Sequence, residues 1–176
     1  MPLNDFGLIQ ARASAEFVRT EFKPEIVWSS DLMRCVQTAE PLGIPFSRSV
    51  TLREISYGDW EGKTFADLTP EEQQLGLKKG AWDPDFSAPG GEKYSDLITR
   101  GKRFISDSEI LSCNGEVAVV GHGAAMRGLL VALLGLPAEA FGKFQIDNAS
   151  VSVVDVDGDL SSVAALNITH HLRHLG

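Results

Sequence analysis

The sequence predicts an α/β fold of three layers, with helices on both faces of a mostly parallel sheet and an antiparallel hairpin at its edge. Two segments, Glu25–Trp28 and Val117–Val120, read as short strands, and each is followed by a few small or polar residues and then a helical pattern. Near the end of the chain, Asp157-Gly158 separates two β-like segments and is a favoured hairpin turn. With 176 residues, the chain is expected to form a single domain over residues 1–176.

The first half of the chain alternates helical and extended patterns. Asn4 is a suitable N-cap for a helix that is expected to run to about Phe22. Along this helix four apolar residues keep helical spacing on one face, namely Phe6, Ile9, Ala13 and Phe17. After the Glu25–Trp28 strand, a second helix is expected from Leu32 to about Leu42. Phe46–Ile55 then reads as an edge strand or extended segment that reaches Glu54.

The second half begins with Ser56–Gly62, whose glycines and aromatic residues are typical of a structured loop over a pocket. A helix starting near Thr69-Pro70 lies within Phe65–Leu77, and Gly80–Glu92 is predicted to be a loop. Val117–Val120 is expected to be buried on both faces of the sheet. The other predicted elements are helices over Ser95–Ile110, Ala124–Leu134 and Ala138–Phe141, and strands over Phe144–Asp155 and Leu160–Asn167.

Composition and charge exclude several classes of partner. The formal net charge is −8 and no cluster of lysine and arginine stands out, which argues against nucleic acid and anionic membrane surfaces. No apolar run approaches the roughly 20 residues that span a bilayer, and no signal peptide opens the sequence. A cytoplasmic protein is therefore expected. His170, His171 and His174 are interpreted as a solvated tail rather than a metal site, because no cysteine or carboxylate stands near them at ligand spacing.

Three strand ends carry residues suited to an anionic ligand. His122 follows one strand, and Gly123 beside it lets a ligand approach the first N–H groups of the next helix. Arg34 follows another strand and suits bidentate binding of phosphate or carboxylate. Glu54 ends the third extended segment and could supply a proton. Since ligands of parallel sheets bind at the carboxyl ends of strands, this pattern favours a small phosphorylated ligand. The alternative is that these are unrelated surface and core residues.

Several segments also resemble, in order, the histidine phosphatase superfamily, the phosphoglycerate mutase-like proteins. The segment Ser29–Ala39 resembles the family's second phosphate-binding segment, and Gly121-His122-Gly123 resembles its second histidine motif. The resemblance extends over nearly the whole chain through further segments, which are Leu52–Ile55 with Gly58–Gly62, Pro89–Glu92 with Arg100, Asp147–Ser150, and Asn167 with His171-Leu172.

The resemblance implies a phosphoglycerate mutase-like fold and hydrolysis, or less readily isomerisation, of a small phosphomonoester. No metal and no organic cofactor is implied. Arg34 would bind the phosphoryl oxygens, with the backbone at Gly123 close by. Glu54 would protonate the leaving oxygen and then activate water, and His122 would hydrogen-bond the phosphoryl group and stabilise charge in the transition state. The expected partners are a small phosphorylated metabolite or inorganic phosphate.

One departure from the family bears on activity. The family's nucleophile is a histidine in an Arg-His-Gly motif at the end of a central first strand, and none of the four histidines of this sequence lies near its start. Three explanations are open: an active enzyme of which this is an incomplete version, which we favour; an inactive domain that binds phosphorylated ligands or a protein; and substitution by a histidine near the C-terminus. The absent strand would leave sheet edges unpaired, which favours a homo-oligomer.

Overall fold

The computed structural model describes residues 1–79, 83–158 and 160–175, except for the side chains of residues 77–79. Its strands form two sheets. The first is parallel, in the order β2-β1-β3, and consists of β1 (Ile26–Ser30), β2 (Phe46–Ser49) and β3 (Val117–Val120). The second is an antiparallel pair of β4 (Val151–Asp157) and β5 (Leu160–Ile168). The predicted α/β class with parallel strands and a closing hairpin is confirmed, and the hairpin forms a sheet of its own.

In the described ranges, five α-helices accompany the strands. They are α1 (Asp5–Glu21), α2 (Met33–Ala39), α3 (Pro70–Lys79), α4 (Tyr94–Ser108) and α5 (Gly123–Leu133). Asn4 caps α1 as predicted, since its side chain accepts a hydrogen bond from the N–H of Gly7. The second helix is shorter than predicted: beyond Ala39 the chain continues as a 3-10 turn over Glu40–Leu42, because Pro41 has no N–H with which to extend an α-helix.

The predicted loop over Gly80–Glu92 is confirmed for residues 83–92, and residues 80–82 lie outside the description. The strand expected over Phe144–Asp155 begins only at Val151. The chain turns at Asp147–Ser150, where the N–H of Ser150 donates to the carbonyl of Asp147 and Ala149 adopts a φ of 58°. The side chain of Asn167 forms hydrogen bonds with Asp147 and stabilises this turn. Strand propensities of single residues cannot predict such a long-range contact.

The expectation that Val117–Val120 is buried on both faces is wrong. All four residues are half-buried, because β3 pairs with β1 along one edge and, within the described ranges, with no strand along the other. The apolar start of β4 is likewise half-buried. The parallel sheet therefore ends at an apolar strand, and the carboxyl end of that strand carries His122.

The largest helix contact is between α4 and α5, which buries Leu97 and Phe104 of α4 against Leu129 and its neighbours on α5. Two glycines permit it. A Cβ on Gly128 would lie 2.8 Å from the carbonyl carbon and oxygen of Leu97, and a Cβ on Gly101 would lie 3.0 Å from the Cα of Leu129. The two backbones meet directly at this crossing, which fixes α5 and therefore the position of its N-terminus.

The face of α1 that packs inward differs from the apolar stripe seen in the sequence. Phe6 and Ile9 are nearly half exposed, whereas Ala11, Ser14 and Ala15 are buried. Small residues let α1 lie close to α2 and to the turn that follows it. Among the described residues, no helix combines the length and apolar character needed to cross a membrane.

Candidate active site

His122 lies between the end of β3 and the first turn of α5, and only 7% of its surface is exposed. Three side chains from β1 and α2 surround its ring. The Nε of Arg34 donates to Nδ1 at 3.0 Å, and the Oγ of Ser30 lies 3.0 Å from Nε2. The Sγ of Cys35 is 3.3 Å from Nε2 and donates to the carbonyl of Gly121. Two neighbouring strand ends therefore converge on one imidazole.

These contacts determine the protonation state of His122. A guanidinium N–H can only donate, so Nδ1 accepts and the proton of the neutral ring lies on Nε2, directed toward Ser30 and Cys35. Burial first, and then the positive charges of Arg34 and Arg100, lower the pKa of His122 to about 4. Burial also raises the pKa of the Cys35 thiol to about 12. Both groups are neutral at pH 7, so the positive charge beside the His122 ring is that of the Arg34 guanidinium.

The lowered pKa makes stability depend on pH. In the unfolded chain His122 takes up a proton as the pH falls through its ordinary value of 6.5, whereas in the folded protein it does so only near pH 4. Between these values the unfolded state binds more protons, so the contribution of His122 to folding is complete above about pH 6.5 and decreases as the pH falls toward 4. Allowing for solvent around the half-exposed Arg34, we expect a loss of about 2 kcal/mol.

Urea unfolding at pH 7 and pH 4.5 measures this loss. The His122→Gln variant should show a smaller pH dependence than the unaltered protein. Burial also lowers the pKa of His171, so His171→Gln serves as the comparison. This variant removes the contribution of His171 to the pH dependence of stability and leaves that of His122 in place. Equal pH dependence in the protein and in His122→Gln would contradict the expectation.

Glu54 lies at the N-terminus of α5. Its carboxylate accepts hydrogen bonds from the N–H groups of Ala125, at 3.2 Å, and Ala124, at 3.4 Å. The sequence predicts an anion at this helix end, and the structure places a carboxylate of the chain there, adjacent to Gly123. The helix dipole thus favours the Glu54 carboxylate at the N-terminus of α5, the helix that His122 precedes as the N-cap residue.

Arg100 of α4 holds the segment that carries Glu54. One end nitrogen of its guanidinium donates to the carbonyls of Thr51 and Arg53, at 2.9 and 2.7 Å. The other donates to the carbonyl of Glu54 and to the carboxylate of Glu92, at 3.3 and 3.0 Å. Only a guanidinium supplies this fork of donors, so Arg100 positions the Glu54 segment.

Tyr57 and Arg127 extend the site on the side of Glu54. The pKa of Tyr57 is raised to about 12, first by burial, then by Tyr94 and the charge of Glu54, while Arg127 acts in the opposite direction. Arg127 of α5 is half-buried. Tyr57 therefore lies within the electrostatic reach of both Glu54 and Arg127.

The structure brings together the four residues that the sequence singles out. Arg34, His122 and Gly123 meet where β1 and β3 end, and Glu54 joins them through the first turn of α5. Sequence reasoning treated Ser30 only as a possible cap former and gave it no part in the site, although it is fully buried and ends a strand. A serine at the end of a predicted parallel strand, where ligands bind, is a signal that could have found it.

The C-terminal histidines do not enter this site through any hydrogen bond described. His171 is only 9% exposed, so its assignment to a solvated tail is wrong. Its Nε2 lies 3.1 Å from both the Oγ of Ser14 and the carbonyl of Ala149, and its ring stacks on Phe17. His171 thus fastens the chain end to α1. Among the described residues, no group of three or more histidine, cysteine or acidic side chains could hold a metal ion.

Comparisons with known proteins agree with this geometry. The family model of the histidine phosphatase superfamily (branch 1) matches residues 1–169. A protein of Yersinia pestis (strain Pestoides F), named probable phosphoglycerate mutase GpmB, is 34% identical over 158 residues, which cover 88% of this chain and 73% of that protein.

Solved structures show the same likeness. Mycobacterial glucosyl-3-phosphoglycerate phosphatase in complex with inorganic phosphate matches with a TM-score of 0.86 and 26% identity, over 97% of this chain and 89% of that chain. YhfR of Bacillus stearothermophilus matches with a TM-score of 0.84 and 26% identity, over 98% of this chain and 87% of that one. With the family model matching almost the whole length and the sequence motifs meeting in one site, the chain belongs to the histidine phosphatase superfamily (branch 1).

Proposed function

We propose that this protein hydrolyses a small phosphomonoester at the site formed by Arg34, Glu54, His122 and Gly123. The observation that carries the proposal is the hydrogen bond between Arg34 and His122 at two adjoining strand ends, beside a carboxylate held by α5. The site combines the positive charge of Arg34, the neutral imidazole of His122 and a carboxylate at the first turn of α5. These groups suit a phosphoryl group and its leaving oxygen. The phosphate complex of the similar mycobacterial phosphatase supports a phosphorylated ligand.

Each residue has a distinct part in the proposal. Arg34 binds the phosphoryl oxygens, and the Nε2–H of His122 exchanges its contact with Ser30 for a hydrogen bond that it donates to them, with the N–H of Gly123 nearby. Water forms a bond to phosphorus as the bond to the leaving oxygen breaks, and Glu54 donates a proton to that oxygen. The resulting carboxylate takes the proton that the attacking water loses, which restores the acid and leaves inorganic phosphate and an alcohol as products.

A second candidate is binding of a phosphorylated ligand without turnover. The histidines of the site favour this second candidate. Among the described residues, His122 is the one histidine that takes part in the site. The family resemblance assigns nucleophilic attack to a different histidine. Both candidates require phosphate binding by Arg34. They differ in whether p-nitrophenyl phosphate is hydrolysed.

Replacing Arg34 with alanine is expected to weaken inorganic phosphate binding about 20-fold, because a charge-assisted pair worth about 2 kcal/mol is lost. Isothermal titration calorimetry measures this, with Arg103→Ala as the matched control, since Arg103 is exposed and pairs only with Asp107 in the contacts described. Hydrolysis of p-nitrophenyl phosphate that disappears in His122→Ala supports the enzyme. Phosphate binding without hydrolysis supports the second candidate, and absence of phosphate binding at millimolar concentration contradicts both.

A further inference from the structure

A pocket of about 350 Å³ opens beside the site, between the loop that follows Glu54 and helix α3. Lys63, Thr64 and Gly76 contribute to its lining. The rest is aromatic or aliphatic and comprises Tyr57, Trp60, Phe65, Leu68, Phe86 and Tyr94. Phe65 is 52% exposed, so an apolar ring faces the open space of the pocket rather than the core. The volume is sufficient for a bicyclic aromatic group.

Tyr57, which lines the pocket, also lies close to Glu54 of the proposed active site. Tyr57 lies three residues after Glu54, so their Cα atoms are at most about 10 Å apart. The Glu54 charge also raises the pKa of Tyr57. The back of the pocket, Trp60, Phe86 and Tyr94, belongs to the same apolar cluster as Ile55, the neighbour of Glu54. A leaving group that Glu54 protonates would therefore lie near Tyr57, at the edge of the pocket.

The walls of the pocket are held in place before any ligand binds. Gly58 adopts a φ of 50°, and a Cβ there would lie 2.3 Å from the carbonyl oxygen of Pro89. The N–H of Asp59 donates to that carbonyl, and the N–H of Glu92 donates to Ser56. Trp60 is fixed by donating its Nε1–H to Glu72 at 3.1 Å. The aromatic rings are therefore preorganised, which lowers the entropy cost of binding.

The charges around the pocket do not select an anion. Lys63 is the one charged side chain in its described lining, and it lies near the carboxylates of Asp67 and Glu72, whose pKa values its charge helps to lower. Two negative charges beside one positive charge leave no net attraction for a second anionic group on the ligand. The wall is otherwise apolar, so it favours an uncharged group.

We propose that this pocket binds an uncharged aromatic leaving group of the substrate, which makes the preferred substrate an aryl or arylalkyl phosphomonoester rather than one whose leaving group carries a charge of its own. The inference rests on the proposed function, because it takes the phosphoryl group to lie between Arg34 and His122. Stacking against Trp60, Phe65 and Tyr57 provides the affinity. Burial of one aromatic ring system is expected to tighten binding about 30-fold relative to a methyl group.

The test compares two non-hydrolysable ligands, 2-naphthylmethylphosphonate and methylphosphonate, by isothermal titration calorimetry. The pocket is filled by Gly76→Leu on α3, where a Cβ is 3.7 Å from the Trp60 ring and so fits without strain. Gln74→Leu adds the same side chain at an exposed position of the same helix. We expect Gly76→Leu to weaken naphthyl binding at least tenfold and to leave methylphosphonate binding unchanged, and Gln74→Leu to alter neither.

The outcomes separate the pocket from the proposed function. Equal affinity for the two phosphonates overturns the pocket inference while phosphate binding stands. If neither phosphonate binds, the proposed function fails, and the pocket is then tested with 2-naphthol, which has no phosphoryl group. Binding of 2-naphthol that Gly76→Leu abolishes supports the pocket, and no binding at millimolar concentration overturns it.

Discussion

Replacing Gly128 with alanine is expected to lower the free energy of unfolding by about 2 kcal/mol. The new methyl group would lie 2.8 Å from the backbone of Leu97 on α4, and backbone atoms cannot rotate away as a flexible side chain can. Separation of the two helices costs about 3 kcal/mol, at the upper end for overpacking, and the better helix propensity of alanine returns about 1 kcal/mol.

Gly76→Ala is the matched control, since it makes the same change inside a helix where the nearest atom to the new Cβ is 3.7 Å away. It is expected to raise the free energy of unfolding by about 1 kcal/mol, because only the propensity difference acts. Urea denaturation of both variants measures the two values. Changes of the same sign would show that the α4–α5 crossing has more room than the structure gives it. Since α5 carries the Glu54 contact at its N-terminus, Gly128→Ala should also weaken phosphate binding.

Replacing Glu54 with glutamine is expected to lower kcat/KM for an alkyl phosphomonoester about 10³-fold, provided that the protein is the hydrolase proposed here. Glutamine keeps one of the two acceptor oxygens, which can still accept from the N–H of Ala125, so part of the helix contact survives, but it cannot donate and recover a proton. The expected loss is therefore in turnover, and inorganic phosphate should bind with little change.

The leaving group provides the sharpest readout for Glu54. An alkoxide needs a proton far more than nitrophenolate does, so Glu54→Gln should affect an alkyl phosphate much more than p-nitrophenyl phosphate. Glu71→Gln, an exposed position in the first turn of α3, is the control and should behave as the unaltered protein. Equal losses for both substrates would assign Glu54 a structural role and remove it from proton transfer.

Local chemistry explains which elements could be predicted. The Asn4 cap, the apolar runs of β1 and β3 and the Asp157-Gly158 turn each depend on residues close together in sequence, and each lies where it was expected. A distant contact can move a boundary away from its predicted position. The delayed start of β4 follows from the contact between Asp147 and Asn167, which are 20 residues apart.

In the candidate site, too, local sequence features could be predicted and long-range contacts could not. Arg34, Glu54, His122 and Gly123 could be chosen because each follows a strand-like segment, and parallel strands place their carboxyl ends at one edge. The side chains that contact these residues could not be predicted from the sequence. Ser30 and Cys35 meet His122 across roughly 90 residues of sequence, and Arg100 reaches the Glu54 segment from another helix.

The sequence by itself determined the α/β class, the family and the candidate side chains of the site, because periodicity, turn residues and ordered motifs are local properties. Only the tertiary structure decided that the carboxylate of Glu54 occupies the N-terminus of α5, that His122 is neutral, and that an aromatic pocket adjoins Tyr57. Burial, charge proximity and cavity shape arise from contacts between elements far apart in the chain, and no window of sequence contains them.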